Sequence, residues 1–377
     1  MASLVRWSFP TTIVFGAGAL ASLPEHGKTL GKHALVVADP GVRKAGLVDA
    51  VVKTLTDAGL GATVFDHVDP NPIEKNVFDG VAVYKESGAD FIVAVGGGSP
   101  LDTAKLIALK TTHDRPLVDY DEATGGDAFI TANVPAIITI PTTAGTGSEV
   151  GRSGVVTLAA NGRKTVIFSP YLLARVAILD PALTVSMPPK ITASTGFDAL
   201  THCLEAYVSL GDHPMADGIA LEGLALVSAN LERAVSHGTD LEARGGMMKA
   251  AMMGAVAFQK GLGACHSLAH PLSSEKGMHH GLANALCLPA VIAWNDSVVH
   301  DKLERVKRIF DANAKDAATA IVDLRKKIGL PNGLGAEGIT KADIEKLSEK
   351  AIEDACHRSN PRPTTREDLA ALYEASL

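Results

Sequence analysis

The first half of the chain alternates short β-branched runs with amphipathic stretches, and this alternation stops near residue 185. Strand-like runs lie at 34–39, 62–68, 91–99 and 136–149, and stretches of helical spacing lie at 47–60 and 76–88. Such alternation predicts a parallel sheet with helices on both faces. After residue 185 the remaining stretches have helical periodicity. The sequence therefore predicts an α/β domain over residues 1–185 and an all-helical domain over residues 186–377.

Composition places the chain among ordinary globular proteins and excludes several partners. With 377 residues, 46% of them hydrophobic and 20% charged, it is long enough for two cores. A formal net charge of −7 argues against nucleic acid or an anionic membrane as partner. No continuous apolar run approaches the ~20 residues that span a bilayer. The four cysteines form no CxxC pair, which favours reduced thiols in a cytoplasmic protein.

A glycine-rich turn follows the strand-like run at 91–99, in the sequence VAVGGGSPLDTAK (93–105). Glycines let backbone N–H groups approach an anion, and the next helix adds the positive end of its dipole. Ser99 and Asp102 are predicted to cap that helix. The motif is neither a GK[ST] loop nor GxGxxG, so an ordinary strand–helix turn remains the alternative.

A second turn, PTTAGTGSE (141–149), follows the strand-like AIITI. The carboxyl ends of parallel strands meet at one sheet edge, where open α/β folds bind ligands, so the two turns together predict a dinucleotide site. Asp39 ends an earlier strand and could bind ribose hydroxyls while repelling a 2′-phosphate. A simple turn residue is the alternative for Asp39.

Histidines and one aspartate predict a metal site in the second half. Asp198 and His202 are four residues apart in the helical stretch FDALTHCLEAY, so they share a face. GACHSLAHPLSSEKGMHHG (263–281) adds four histidines, and Pro271 predicts an interruption of the helix there. One oxygen donor with several imidazoles suits Fe²⁺ or Zn²⁺ better than Mg²⁺ or Ca²⁺. Spacing does not select which histidines bind; the four are His266, His270, His279 and His280.

The ordered motifs GGGSPLDTAK, PTTAGTGSE, DPALTVSMPP, TGFDALTHCLEAY, HSLAHPL and HGLANALCLP run through most of the chain. Together they resemble the iron-containing (group III) alcohol dehydrogenases. The resemblance implies a Rossmann-like dinucleotide-binding domain, an all-helical metal-binding domain and a dehydroquinate synthase-like fold. It also implies a homodimer that transfers hydride between NAD(H) and a small alcohol or aldehyde at Fe²⁺, with Zn²⁺ as the alternative ion.

The resemblance further implies a role for individual residues. The metal ligands fall on Asp198, His202, His266 and His280. His270 falls on the catalytic position near the nicotinamide, and His279 falls on a position that is not a ligand. The cofactor positions are Asp39, Asn71, Gly97, Gly98, Ser99, Asp102, Thr142, Thr143, Thr146 and Lys164. Gly151 departs from the family pattern, because many members have Thr there in contact with the cofactor.

The substrate and one alternative class stay open. Arg152, Lys260 and Lys276 could bind a carboxylate, as a 4-hydroxybutyrate dehydrogenase would require, whereas a short diol or lactaldehyde needs no such group. Phe258 and Cys356 could line the pocket or simply pack in the core. A metal-dependent lyase or synthase on the same scaffold is the second function, and a nucleotide-binding sensor is the non-enzymatic one.

Overall fold

The computed structural model describes residues 8–9, 11–160 and 162–377. The chain forms two compact units. The sheet unit comprises residues 9–143 and 147–186. The helical unit comprises Ser8, residues 144–146 and residues 187–377.

The sheet unit contains all eight strands of the described residues. They are β1 (Thr12–Phe15), β2 (His33–Val37), β3 (Gly61–Phe65), β4 (Phe91–Gly96), β5 (Ile137–Pro141), β6 (Ser153–Thr157), β7 (Lys164–Phe168) and β8 (Val176–Leu179). Six form a parallel sheet in the order β1-β8-β5-β4-β2-β3, and β6 pairs with β7 in an antiparallel hairpin.

Apolar side chains cover both faces of this sheet, as a parallel sheet requires. Successive residues of β2 point into two different cores, because side chains alternate along a strand. Leu35 and Val37 pack in one core with Ile92, and Ala34 and Val36 pack in the other with Val93. The helices of this unit are α1 (Leu23–Leu30), α2 (Pro40–Lys44), α3 (Leu47–Asp57), α4 (Glu74–Ser87) and α5 (Gly98–Thr112).

The helical unit consists of longer helices with 3₁₀ turns between some of them. They are α6 (Pro189–Val208), α7 (Pro214–Ser236), α8 (Leu241–Ala257), α9 (Ala264–Lys276), α10 (His280–Phe310), α11 (Ala317–Lys327), α12 (Lys341–Glu353) and α13 (Arg366–Ala375). Every residue of α6 from Thr192 to Val208 is buried. The predicted fold class, an α/β unit followed by an all-helical one, is confirmed.

By length and composition, α10 is the one helix among the described residues that could cross a membrane. More than half of its most apolar stretch is buried inside the protein. Buried polar side chains also lie along it, among them Asn284 and Asn295. These features are those of a core helix.

Candidate metal centre and cofactor site

Helix α6 presents the first two predicted ligands on one buried face. Asp198 and His202 lie one turn apart, and their Oδ1 and Nε2 atoms are 4.0 Å from each other. Both residues are buried. Because α6 is buried from Thr192 onward, packing fixes the backbone that carries both side chains.

Helices α9 and α10 bring the other two predicted ligands to the same place. His266 of α9 stacks on His202 with ring centroids 4.8 Å apart, and one ligand atom each from Asp198, His202 and His266 lies within 4.8 Å of the others. His280, the first residue of α10, places Nε2 3.5 Å from Asp198 Oδ1. The four predicted ligands therefore converge within the helical unit.

The donor set fits a divalent ion of borderline softness. Burial lowers the pKa of His202 to about 4, and the charge of Asp198 only partly opposes this effect. His202 is therefore neutral at pH 7, as a metal ligand must be. One carboxylate and three imidazoles are the donors that Fe²⁺ and Zn²⁺ accept, whereas Mg²⁺ and Ca²⁺ prefer oxygen.

Glu205 orients His266 by accepting hydrogen bonds from its ring and from the adjacent backbone. Its Oε2 accepts a hydrogen bond of 2.6 Å from His266 Nδ1, and its Oε1 accepts one of 2.7 Å from the backbone N–H of Cys265. Burial disfavours the charged imidazole, but the hydrogen bond and charge of Glu205 outweigh burial and raise the pKa of His266. With Nδ1 as the donor, Nε2 is the atom that is open to a metal.

Asn284 lies one turn after His280 and contacts three of the ligands. Its Nδ2 donates to Asp198 Oδ1 at 2.8 Å and lies 3.3 Å from His280 Nε2 and 3.5 Å from His266 Nε2. The residue is fully buried. An amide donor among several electron-rich atoms reduces their mutual repulsion, so Asn284 helps to hold the ligands together.

His270 lies beside the ligands and has a partner of its own. Its ring stacks on that of His280 at 5.2 Å, and its Nδ1 is 2.7 Å from Asp354 Oδ2. Burial alone would raise the pKa of Asp354, but His270 and hydrogen bonds hold it well below its usual range. Helix α9 continues through Pro271, so the predicted interruption there is wrong. Pro271 is buried, and packing keeps it in the helix although it lacks an N–H.

His279 is placed differently from the other three histidines. It is exposed, stands at the N-cap of α10 and lines a cavity of about 240 Å³ together with Lys190, Ser194 and Lys276. Although part of the side chain reaches solvent, desolvation by the cavity walls lowers the pKa of His279; the charge of Asp198 opposes this effect and that of Lys190 adds to it. His279 is thus an exposed residue of this cavity, unlike the buried His202 and His266.

In the sheet unit, the two glycine-bearing turns lie side by side. Gly96 and Pro141 are opposite each other in β4 and β5, and Thr142 N donates to Gly96 O at 2.9 Å. A Cβ on Gly97 would lie only 3.3 Å from Thr143 Cγ2. The two turns therefore meet at the carboxyl edge of adjacent strands, where such sheets bind nucleotides, and they bring together Gly97, Gly98, Thr142 and Thr143.

The other predicted cofactor positions differ in their local surroundings. Ser99 Oγ donates to Pro70 O at 2.6 Å, next to the exposed Asn71. Asp39 Oδ1 accepts from Gly41 N and Val42 N, so it caps α2. Lys164 begins β7. Thr146 belongs to the helical unit.

The prediction that Ser99 and Asp102 cap α5 is wrong. The N-cap is Gly97, with no capping side chain. Asp102 instead accepts hydrogen bonds from Ser148 Oγ at 2.5 Å and Val155 N at 3.2 Å. Its carboxylate ties α5 to β6 and to the segment after the second turn.

Two sequence profiles together cover almost the whole chain. Residues 10–181 match the iron-containing alcohol dehydrogenase family, and residues 192–377 match the Fe-containing alcohol dehydrogenase family, C-terminal region. The chain belongs to the iron-containing alcohol dehydrogenase family. As a member, it is an oxidoreductase that acts on small alcohols, and the resemblance seen in the sequence is confirmed.

Known relatives of this alcohol dehydrogenase match it from end to end. The 4-hydroxybutyrate dehydrogenase of Cupriavidus necator is 40% identical, over 97% of this chain and 98% of that protein. The crystal structure of a 1,3-propanediol oxidoreductase has a TM-score of 0.95 and 36% identity and covers 100% of both chains. A sulfoacetaldehyde reductase from Bifidobacterium kashiwanohense in complex with NAD⁺ has a TM-score of 0.89 and 31% identity over 99% of both chains. These similarities give no support to the lyase or synthase alternative.

Sequence reasoning missed three residues in and beside the candidate metal centre of this dehydrogenase. Glu205 lies three residues after His202 in the same helix, and Asn284 lies four after His280, so helical spacing could have identified both. Asp354 is 84 residues from its partner His270, and no spacing rule connects them.

The residues proposed for substrate binding are mostly engaged elsewhere. Lys260 is buried and donates to Asp217 Oδ1 at 2.5 Å, and Lys276 donates to Asp343 Oδ1 at the same distance. Their charges are therefore balanced, which argues against their binding a carboxylate. Phe258 lies with its ring 5.2 Å from that of His202. Cys356 is half-buried near Asp354.

Proposed function

We propose that this enzyme interconverts a small primary alcohol or hydroxy acid and its aldehyde, with NAD(H) as hydride carrier and Fe²⁺ as metal. The observation that carries the proposal is the convergence of Asp198, His202, His266 and His280 on one buried point of the helical unit. Zn²⁺ is the alternative ion, since the same donor set accepts it. NAD rather than NADP is favoured by the Asp39 carboxylate.

Each side chain has a separate task in this proposal. Asp198 and the three histidines would hold the metal ion, which would supply Lewis acidity toward the substrate hydroxyl, and bound NAD⁺ would supply the hydride acceptor. Glu205 keeps His266 Nδ1 protonated and Asn284 holds the Asp198 carboxylate. His270 accepts the hydroxyl proton at Nε2, while Asp354 fixes the ring through Nδ1.

The substrate class rests on the relatives, whose names include a 4-hydroxybutyrate dehydrogenase and a 1,3-propanediol oxidoreductase. We propose 4-hydroxybutyrate and 1,3-propanediol as the first compounds to test. We also propose a cytoplasmic homodimer. The cytoplasmic location is supported by the four cysteines, all described and none in a disulfide, and the dimer by the family likeness.

The test combines an alcohol panel with three histidine variants. Protein loaded with Fe²⁺ or Zn²⁺ should produce NADH absorbance with short alcohols. His266→Ala should lose both the metal and turnover but keep NADH binding. His270→Ala should keep the metal and lose about 10²- to 10⁴-fold in rate, the usual contribution of a general acid–base group.

His279→Ala is the matched control, since His279 precedes the ligand His280 in the chain but is exposed and lines the cavity with Lys190 and Lys276. It should retain metal content and rate. Full metal content in His266→Ala, or an unchanged rate in His270→Ala, would contradict the roles proposed for these residues.

A further inference from the structure

A second group of metal-binding side chains lies next to the metal centre. His270 of α9 meets Asp354 and Cys356, which follow α12, and one ligand atom of each lies within 4.8 Å of the other two. His270 Nδ1 and Asp354 Oδ2 are already 2.7 Å apart. All three residues are half-buried, so an ion from solvent can reach them. None of them belongs to the four-ligand set.

We propose that His270, Asp354 and Cys356 form a second, inhibitory site for Zn²⁺. A nitrogen, a carboxylate oxygen and a thiolate are all donors that zinc binds in proteins. Three protein ligands leave the fourth tetrahedral position for water. The thiolate gives this site a preference for soft ions that the Asp/His₃ site lacks.

The distances are close to those that zinc needs. Tetrahedral Zn²⁺ with bonds of about 2.0–2.3 Å places its ligand atoms roughly 3.5 Å apart. The 2.7 Å pair of His270 and Asp354 must therefore open, and the Cys356 thiol, which lies within 4.8 Å of both, must take up a similar separation. Both changes are side-chain rotations in half-buried residues.

The surrounding hydrogen bonds orient Asp354 so that its Oδ2 atom faces His270. Its Oδ1 accepts from Ser267 Oγ at 2.8 Å and from Cys356 N at 2.9 Å. Ser267 Oγ in turn accepts from His357 N at 2.8 Å. These bonds leave Oδ2 as the oxygen facing His270 Nδ1, and they hold Cys356 beside the same carboxylate. Such supporting bonds are typical of metal sites.

Zinc binding here requires no redox step. The Cys356 thiol releases its proton to solvent as the Zn–S bond forms, and the proton of His270 Nδ1 is replaced by the Zn–N bond and reappears on Nε2. His270 then carries a proton on the atom that would accept one from the substrate. The inhibition rests on the proposed role of His270, whereas the binding does not.

Cobalt absorption tests the binding directly, because of the two proposed metal sites only the second contains a sulfur ligand. Enzyme that carries one equivalent of Zn²⁺ in the Asp/His₃ site is titrated with Co²⁺. A thiolate-to-cobalt charge-transfer band should appear and saturate at one further equivalent. Cys356→Ser should abolish the band, and Cys287→Ser, which replaces a cysteine buried within α10, should retain it. Absence of the band in the unaltered enzyme, or its persistence in Cys356→Ser, would overturn the proposal.

Turnover tests the inhibition separately. Excess Zn²⁺ should lower the rate of the loaded enzyme about 100-fold or more, the contribution expected of a general base. Cys356→Ser should be protected from this loss. A cobalt band without inhibition by zinc would refute the inhibitory role of the second site. If the His270→Ala variant is also active, the proposed role of His270 as proton acceptor is refuted as well. Inactivity of the loaded enzyme on every alcohol would refute the proposed function and leave the cobalt result standing.

Discussion

At the residue scale, Glu205 is not a predicted metal ligand itself, but it determines which nitrogen of the predicted ligand His266 carries the proton. Its two oxygens each accept one hydrogen bond, from His266 Nδ1 and from Cys265 N. A carboxylate can accept at both atoms, whereas an amide must donate at one of them. The identity of residue 205 therefore selects the tautomer of His266.

We predict that Glu205→Gln weakens Zn²⁺ binding about 10- to 100-fold, the usual cost of losing a group that supports a ligand. The amide oxygen would accept from Cys265 N, and the amide nitrogen would donate to His266 Nδ1. The imidazole proton then moves to Nε2, the atom that the metal needs. Competition with a chromophoric chelator measures the affinity, and ¹⁵N spectra of histidine-labelled protein report the tautomer.

Glu149→Gln is the control for this substitution, because Glu149 is an equally buried glutamate in the sheet unit. It should leave Zn²⁺ affinity unchanged. An unaltered affinity in Glu205→Gln, with the His266 proton still on Nδ1, would show that Glu205 does not set the tautomer.

Helical spacing alone could identify only those residues of the candidate metal centre that lie on the same helix. Asp198, His202 and Glu205 lie on one face of α6, and their spacing shows this. Asp354 reaches His270 only because α12 ends beside α9, and such long-range packing leaves no mark in local spacing. The bond between Asp102 and Ser148 was missed for the same reason.

At the element scale, a single glycine allows α10 to approach α6. A Cβ on Gly281 would lie 2.1 Å from the backbone oxygen of Ser194 and 3.2 Å from Asp198 Cβ. Backbone atoms cannot rotate away, so any larger residue forces the two helices apart. Gly281 directly follows His280, and this contact therefore sets the distance between a ligand on α10 and a ligand on α6.

We predict that Gly281→Ala destabilises the helical unit by about 1–3 kcal/mol, as overpacking usually does. It should also weaken Zn²⁺ binding, because His280 moves with the start of α10. Urea unfolding followed by circular dichroism and chelator competition measure the two effects. Gly218→Ala in α7 is the control, since its Cβ would meet open space, and it should stabilise by about 0.4–1 kcal/mol. Retention of both stability and Zn²⁺ affinity in Gly281→Ala would contradict the contact.

The elements themselves were predicted unevenly. Strands β2, β4 and β5 are largely buried and β3 is half-buried, and the apolar, β-branched runs of all four identified them. The short strand β1 has no buried residue, and β6 and β7 are buried only at every second position, so these three strands did not stand out. In α9, local propensity gave the wrong answer at Pro271, because packing of the surrounding helices outweighs the lost hydrogen bond.

At the scale of the whole molecule, buried charges make stability depend on pH. The sheet unit buries Asp102, Lys105 and Glu149 close together, and burial lowers the pKa of Lys105 and raises those of the two acids. Lys105 Nζ donates to Ser148 O, Ser148 Oγ and Ser153 O, so it is held by neutral groups as well as by charge.

Glu149 gives this dependence a direction and a range. Its pKa is raised by burial from 4.5 to about 7, although the Lys105 charge opposes the shift. Between these two pH values the folded protein binds a proton that the unfolded chain has lost, so stability falls as pH rises through the range. The difference corresponds to about 3 kcal/mol for this group.

We predict that Glu149→Gln removes this loss. The unfolding free energy of the variant, measured relative to that of the unaltered protein, should rise between pH 4 and pH 8. Urea titrations of the metal-loaded protein at several pH values measure the difference, and Glu86→Gln, at an exposed glutamate of α4, should show none. If the curves of Glu149→Gln and the unaltered protein stay parallel across this range, Glu149 ionises in the folded protein as it does in the unfolded chain.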